Sequence, residues 1–423
     1  MKKKKIIDMD LYYEKLDNGL EIYVIPKNDC NNIYVTYNTK YGGKDNEFIP
    51  LNETKMKKFP KGIAHFLEHK LFEEEDNTNV FSFYQERGAN ANANTSYERT
   101  SYLFFGTEYF KENLEMLLHY VESPYFTDEN VEKEKGIIEQ EYRMNEDNPY
   151  SRIFYGALEN AFIKLPYNVS ILGDLESIRS ITKEQLYKCY NTFYHPSNMF
   201  IVVTGNVNPT EVITIIKDFE SKRDLKEEKK IVRKKYKEPD KVAKKEEKVK
   251  MNTSISKVCL AYKINKNLFK DIDSKMATRL INHIFDLKVG STSILSEKLR
   301  ESDIITSPVS TTVMVTDTHY LVLLLAETKK EKVLIKEITE TLSHLSITPL
   351  EFERRKRIMI SGLISSTENI FRTNDRIIDD ITDYNKVYTN ELELVKNLTM
   401  DDVSYVVSNI DLSNKLIYII EPK

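Results

Sequence analysis

Three side chains between Gly62 and Phe72 have the types and the spacing for metal chemistry: His65, Glu68 and His69, in the order His-x-x-Glu-His. If Gly62 to Phe72 is a helix, the two histidines sit at i and i+4 on one face, so both imidazoles can reach a single cation. Glu68, at i+3 from His65, projects from that same face. Two neutral nitrogen donors beside one carboxylate are what metal-assisted hydrolysis requires: ligands for the ion, and a base for the water it polarises. The competing reading is two histidines fallen close together on a polar face, in a chain with 7 His among 423 residues.

A hydrolytic zinc site takes three protein ligands and keeps its fourth position open for water. The third must come from downstream, and the best source is the segment from Glu132 to Arg143. There Glu134 and Glu141 are two helical turns apart, so both carboxylates project from one face. Glu141 is assigned as the ligand and Glu134 as the partner that orients a histidine or balances charge. Glu139 is an alternative ligand on a different face. Taken without the histidines, the segment reads as ordinary solvated surface.

The two segments together resemble the pitrilysin, insulinase and mitochondrial processing peptidase family of inverzincins, whose signature is His-x-x-Glu-His. Arg87-Gly88-Ala89-Asn90-Ala91-Asn92-Ala93-Asn94-Thr95-Ser96, followed by Thr100-Ser101-Tyr102, is similar to the family's substrate strand with its Asn-Ala-x-Thr core. Tyr194-His195-Pro196-Ser197-Asn198-Met199 and Val203-Thr204-Gly205-Asn206-Val207 resemble the segment that closes its first domain. The match covers about the first 210 residues. It implies an α+β fold of two similar tandem domains, each a mostly antiparallel sheet packed with helices and joined by a charged linker. It also implies a zinc endopeptidase with one Zn2+. The peptide would dock as an added strand along Ala91, Asn92, Ala93, Asn94 and Thr95, small side chains keeping the groove open. On composition alone the Ala-Asn run reads as a polar loop, since both residues are poor strand formers.

The elements that must position these residues are partly legible. A chain of 423 residues is too long for one ordinary core, and two domains are the natural expectation. A net charge of -4 and a pI near 6.1 give no reason to expect nucleic-acid binding. The basic start, Lys2 to Lys5, lacks the apolar run of a secretion signal, and the longest apolar runs, such as Tyr320 to Ala326, suit a buried strand rather than a membrane span. Cys30, Cys189 and Cys259 suggest no disulfide framework. A soluble cytoplasmic protein is the expectation. Asn18-Gly19 predicts a turn before a strand over Leu20 to Ile25, with Ile33 to Thr39 as its antiparallel neighbour. Helices are expected near Val80 to Arg87, over Glu112 to Glu122, and from a cap at Thr127 or Asp128. Tyr102 to Phe105 reads as a strand.

The chain repeats itself. Thr100 through Glu141 can be laid over Thr318 through Gly362, where Thr348-Pro349-Leu350-Glu351 has the spacing of a capping box. In the second copy Gly362 stands at the position of Glu141 and Arg355 at that of Glu134, so only the first copy keeps ligands. Between the copies lies a charged stretch, Glu220 to Lys250, including Lys222 to Lys230, which reads as a linker or solvated helix. The expected division is therefore 1–219, 220–250 and 251–423.

Members of the family that work alone carry in their second half an Arg followed seven residues later by a Tyr, which help bind the substrate and its developing oxyanion. Leu299 to Ser307 looks like that region; it keeps Arg300 but has Ser307 where the Tyr would stand. By resemblance the chain is the metal-bearing subunit of a heterodimer whose related partner supplies the Arg/Tyr pair, or else a homodimer, acting on unfolded peptides. A non-catalytic structural or peptide-binding subunit is the alternative. His283, His319 and His344 are expected to be structural or exposed.

Overall fold

The computed structural model describes residues 1–76, 78–223, 225 and 230–423. The chain forms two compact units that interleave in sequence, one built from Met1–Tyr142, Ser170–Lys235 and Ile364–Glu391, the other from Arg143–Val169, Tyr236–Leu363 and Leu392–Lys423. Each is a mostly antiparallel sheet packed with helices, the α+β architecture that the sequence implies.

The first unit's sheet has seven strands: β1 (Lys2–Ile6), β2 (Met9–Lys15), β3 (Glu21–Pro26), β4 (Ile33–Thr39), β7 (Asn90–Thr95), β8 (Thr100–Gly106) and β9 (Met199–Gly205). A small hairpin, β5 (Glu47–Phe48) and β6 (Lys57–Lys58), stands apart from it. The spatial order is β1-β2-β3-β9-β4-β8-β7. The expected pairing of β3 with β4 is therefore corrected: β9 lies between them, parallel to β3 and antiparallel to β4. Met199-Phe200-Ile201-Val202-Val203-Thr204-Gly205 is buried along its whole length, as a strand covered on both faces must be. The basic start is also a strand, with Lys3 and Lys5 both paired to Asp10.

Helices α1 (Ile63–Lys70), α2 (Val80–Gln85), α3 (Phe110–Glu122), α4 (Asp128–Asp147), α6 (Leu175–Ser180), α7 (Lys183–Phe193) and α8 (Pro209–Glu220) follow the strands. Leu114, Leu117, Leu118 and Val121 of α3 share a core with Val35, Phe104 and Ile201 of the sheet. The opposite face is sealed by α13 (Ile370–Tyr384), from late in the sequence. Its Ile377, Ile378 and Ile381 pack on Tyr23, Ile25, Phe200 and Val202. Asn374 donates to Val202 O at 3.0 Å and accepts from the Thr36 hydroxyl at 2.8 Å. A fully buried amide so satisfied fixes the helix on the sheet at one register.

The second unit's sheet runs β10 (Glu246–Met251), β14 (Lys415–Pro422), β11 (Ser256–Asn265), β13 (His319–Thr328), β12 (Ser310–Val315) in space. It too has one parallel pair, β10 with β14. Around it lie α9 (Ser274–Val289), α10 (Ile294–Glu301), α11 (Glu331–Ser343) and α12 (Pro349–Ser366). The last begins in the expected capping box, with Thr348 N donating to Glu351 Oε2 at 2.8 Å. Helix α5 (Pro149–Ala161), from the first half of the sequence, packs on β11 and β14. Gly156 makes this approach feasible, since a Cβ there would stand 2.2 Å from Tyr418 Cζ.

Packing thus differs from the contiguous division expected. Each half of the sequence lends one helix to the other's sheet, α5 to the second and α13 to the first. The expected linker differs as well. Of its Lys222 to Lys230 run, residues 224 and 226–229 lie outside the described residues. Beyond them Ile231 packs on the first core, and Arg233 pairs with Asp45 (2.8 Å) over the ring of Phe193. Residues 246–251 are edge strand β10. Alternating charge does not prevent this, because an edge strand needs only one apolar or aliphatic face. Among the described residues no helix is long and apolar enough to cross a membrane.

Candidate metal centre

Helix α1 starts at Gly62, whose φ of 81° and close approach to Leu172 O (2.2 Å from a Cβ built there) admit no side chain. Almost every residue of the helix is buried, including His65, Glu68 and Lys70. Polar groups so enclosed need partners; α4 and β7 supply most of them, while His65 Nδ1 has none among the described residues.

Helix α4 begins at a reciprocal cap, Asn130 N donating to Thr127 Oγ1 (3.1 Å) and Thr127 N to Asn130 Oδ1 (2.9 Å). Val131 and Ile138 anchor it in the core. Glu134 and Glu141 then face α1. His69 Nδ1 donates to Glu134 Oε1 at 2.9 Å, which fixes the tautomer and leaves Nε2 with a free lone pair. Glu141 Oε2 lies 3.6 Å from His65 Nε2 and 3.6 Å from His69 Nε2. Donor atoms of these three residues fall within 4.8 Å of one another. Tetrahedral bonds of ~2.1 Å place ligand atoms about 3.4 Å apart, so the donor set fits Zn2+. Glu139, the alternative, is turned to the opposite side, where Arg179 Nε and Nη2 donate to it at 2.6 and 3.0 Å.

The site's electrostatics suit the same use. Burial, then the neighbouring His69, pushes His65 down to about 3, so it stays neutral. For His69 burial opposes the charge, but the Glu134 hydrogen bond and the nearby carboxylates outweigh it and raise its pKa. Burial raises Glu68 against the opposing hydrogen bond from Thr95, and burial also raises Glu141.

Thr95, the last residue of the strand expected to dock the peptide through its main chain, has its hydroxyl turned inward. It is buried at the end of β7 and donates to Glu68 Oε2 at 2.6 Å. Ala91 and Ala93 pack on the core while Asn90, Asn92 and Asn94 are exposed along the sheet's outer edge. Arg300 is exposed on α10 in the second unit. Lys70 was missed from sequence. Fully buried, it donates to Asn130 O at 3.2 Å and pairs with Glu73 at 2.6 Å, tying the start of α4 to the end of α1. Its signal is a lysine inside a helix that is otherwise apolar around the two histidines. In the second copy Arg355 of α12 pairs with Asp286 of α9 at 2.6 Å. The counterpart of Glu134 thus keeps a buried ionic link between helices, with the charges exchanged.

Residues 54–175 match the family described as insulinase, peptidase family M16, and residues 180–359 match the one described as peptidase M16 inactive domain. The chain is 44% identical over 292 residues to an uncharacterized zinc protease, YmfH, of Bacillus subtilis (strain 168), covering 69% of this chain and 68% of that protein. The chain belongs to the M16 family. The zinc protease PqqE of Helicobacter pylori is 28% identical over 219 residues, which span 50% of this chain and about half, 47%, of that protein. Among solved structures, an M16-like protein of Alicyclobacillus acidocaldarius matches with a TM-score of 0.92 at 27% identity, over 98% of this chain and 99% of its own. Two similar domains are the arrangement of these M16-like structures, as they are here.

Proposed function

We propose that the chain is a zinc-dependent endopeptidase that hydrolyses extended peptides added to the free edge of β7, as the metal-bearing subunit of an assembly with a related chain. The observation that carries this reading is the convergence of His65 Nε2, His69 Nε2 and Glu141 Oε2, with Glu68 beside them and bonded to the last residue of β7.

His65, His69 and Glu141 would hold the ion. When bound, Zn2+ polarises the scissile carbonyl and lowers the pKa of a water toward neutrality. Glu68 takes the proton of the attacking water and passes it to the leaving amine, a role that its raised pKa favours. Thr95 holds the Glu68 carboxylate in place, so strand and base are linked through one side chain. Glu134 orients His69. Along the edge, Ala93 N donates to Asn92 Oδ1 at 2.8 Å, and a docking peptide carbonyl would take over this amide.

The match described as inactive, 180–359, takes in Arg355 and none of the candidate ligands, whereas 54–175 holds both histidines and Glu141; this favours the catalytic reading over a non-catalytic subunit.

Ser307 in place of a Tyr motivates one expectation. Turnover by the purified chain should be weak and should rise when a related chain carrying the Arg/Tyr pair is added. Full activity of a strictly monomeric preparation would exclude the shared-site part of this proposal. A second expectation concerns protons. Zinc must displace the second proton of the His69 imidazolium, the one on Nε2, whose charge Glu134 stabilises through Nδ1, while His65 is already neutral. Apparent zinc affinity should therefore fall by roughly tenfold per pH unit below the His69 pKa. Competitive chelator titrations between pH 5 and 8 measure the slope, and a flat profile would contradict the assigned ligand.

A further inference from the structure

Of the 20 residues of α4 only Val131, Glu134 and Ile138 are buried, and Glu141 stands beyond the last of them. Tyr142 adds a partly buried ring to the core, and Glu139 an exposed pair with Arg179. Exposed pairs contribute little, so the height of α4 along α1 depends on polar ties inside the protein. Two such ties come from consecutive positions of α1. His69 Nδ1 donates to Glu134 Oε1 at 2.9 Å, and Lys70 Nζ donates to Asn130 O at 3.2 Å, one turn nearer the start of α4. Asn130 is itself held: its side chain donates to Tyr125 O (3.1 Å) and accepts from Thr127 N (2.9 Å). In a helix the Asn130 carbonyl also takes the amide of Glu134. Lys70 is fully buried, with Glu73 as its counter-ion at 2.6 Å. Taking an ammonium out of water offsets most of what such a pair returns, so packing alone gives no reason for a lysine here.

We propose that Lys70 is a positioning residue for the metal centre: by holding Asn130 it sets the height of α4 on α1, and so places the Glu141 carboxylate over the two histidines. The inference rests on the zinc-peptidase reading of those residues. A role through charge alone predicts the opposite sign. An ammonium near the ligands repels a second cation, so removing a purely electrostatic lysine would let zinc bind more tightly. Removing a positional one lets Glu141 stray, and zinc binds more weakly.

The test is Lys70→Met in the full chain. Met fills a similar volume without charge, Asn130 O keeps its helical amide, and Glu73, whose side chain is 36% exposed, returns to water. Zinc affinity, read by chelator competition at neutral pH, should fall roughly ten- to a hundredfold against the parent. Amide exchange of β4 and β9 in the zinc-free protein should be unchanged, since a general loss of stability would register there. In a Glu141→Gln background the same substitution should have little further effect, because no carboxylate is left to place. The visible spectrum of Co2+-loaded Lys70→Met should move toward that of Co2+-loaded Glu141→Gln. Affinity equal to or tighter than the parent's, an equal loss in both backgrounds, or a first unit that no longer folds in Lys70→Met and Lys70→Leu alike would overturn the proposal. The two readings separate cleanly. A parent that binds no zinc refutes the peptidase reading and this one together, whereas a parent and variants that bind it equally well refute the role of Lys70 alone.

Discussion

Replacing Glu68 by Gln should leave one zinc ion bound and lower peptide cleavage by roughly 10²- to 10⁴-fold. Gln has nearly the shape of Glu and still offers an oxygen to the Thr95 hydroxyl, so the packing around α1 is preserved. It cannot accept the proton of the attacking water at neutral pH. Because Glu68 is 93% buried and burial already disfavours its charge, the neutral substitute should not cost stability. Zinc content by mass spectrometry and turnover of a quenched peptide measure the two halves of the expectation. Equal turnover by mutant and parent would place the activity elsewhere, and loss of zinc would mean that Glu68 is a ligand rather than the base.

The second large effect lies in the other unit and concerns folding. Lys263 and Glu238 have fully buried side chains and pair at 2.5 Å. Lys263 Nζ also donates to Ala161 O (3.0 Å) and Lys241 O (3.1 Å), while Glu238 accepts the backbone N–H groups of Ile163, Lys164 and Leu165 at 2.7 to 2.9 Å. Glu238→Ala leaves a buried ammonium without its counterion and three amides without their acceptor, so the unit should lose about 3–5 kcal/mol. Lys263→Met should cost less, because the carboxylate keeps its three amide donors. Amide exchange of β11 and β14 reads this out unit by unit, which a single unfolding curve of a two-unit chain does not. Comparable exchange in Glu238→Ala and parent would show that the pair is dispensable.

What the sequence makes legible here is what depends on local periodicity. His65 and His69 are neighbours on any helix, and Glu134 and Glu141 share a face in any register, so the centre can be sketched without coordinates. Choosing between Glu141 and Glu139 needs the rotation of α4 about its axis, and that is set by Val131 and Ile138 in the core and by Arg179, which lies far along the chain. The insertion of β9 between β3 and β4 is hidden for a related reason: its partners lie more than 150 residues away, and an all-apolar strand carries no mark of its neighbours. Lys2 to Ile6 escapes because lysines are weak strand formers. Thr95 and Lys70 escape because their work consists of bonds to other elements, to the base and to the cap of α4. The exchange of α5 and α13 has no local signature at all.

The two rims of the seven-stranded sheet differ in a way that bears on the proposed docking of peptides. One rim is Lys2-Lys3-Lys4-Lys5, a row of like charges that repels another copy of itself and discourages stray strands from joining. The other is Asn90-Ala91-Asn92-Ala93-Asn94-Thr95, with no charge to turn a visitor away. A sheet edge that takes up unfolded chains, as proposed for β7, would court fibril growth, and the uncharged rim is the one whose last residue, Thr95, is bonded to Glu68, the proposed base.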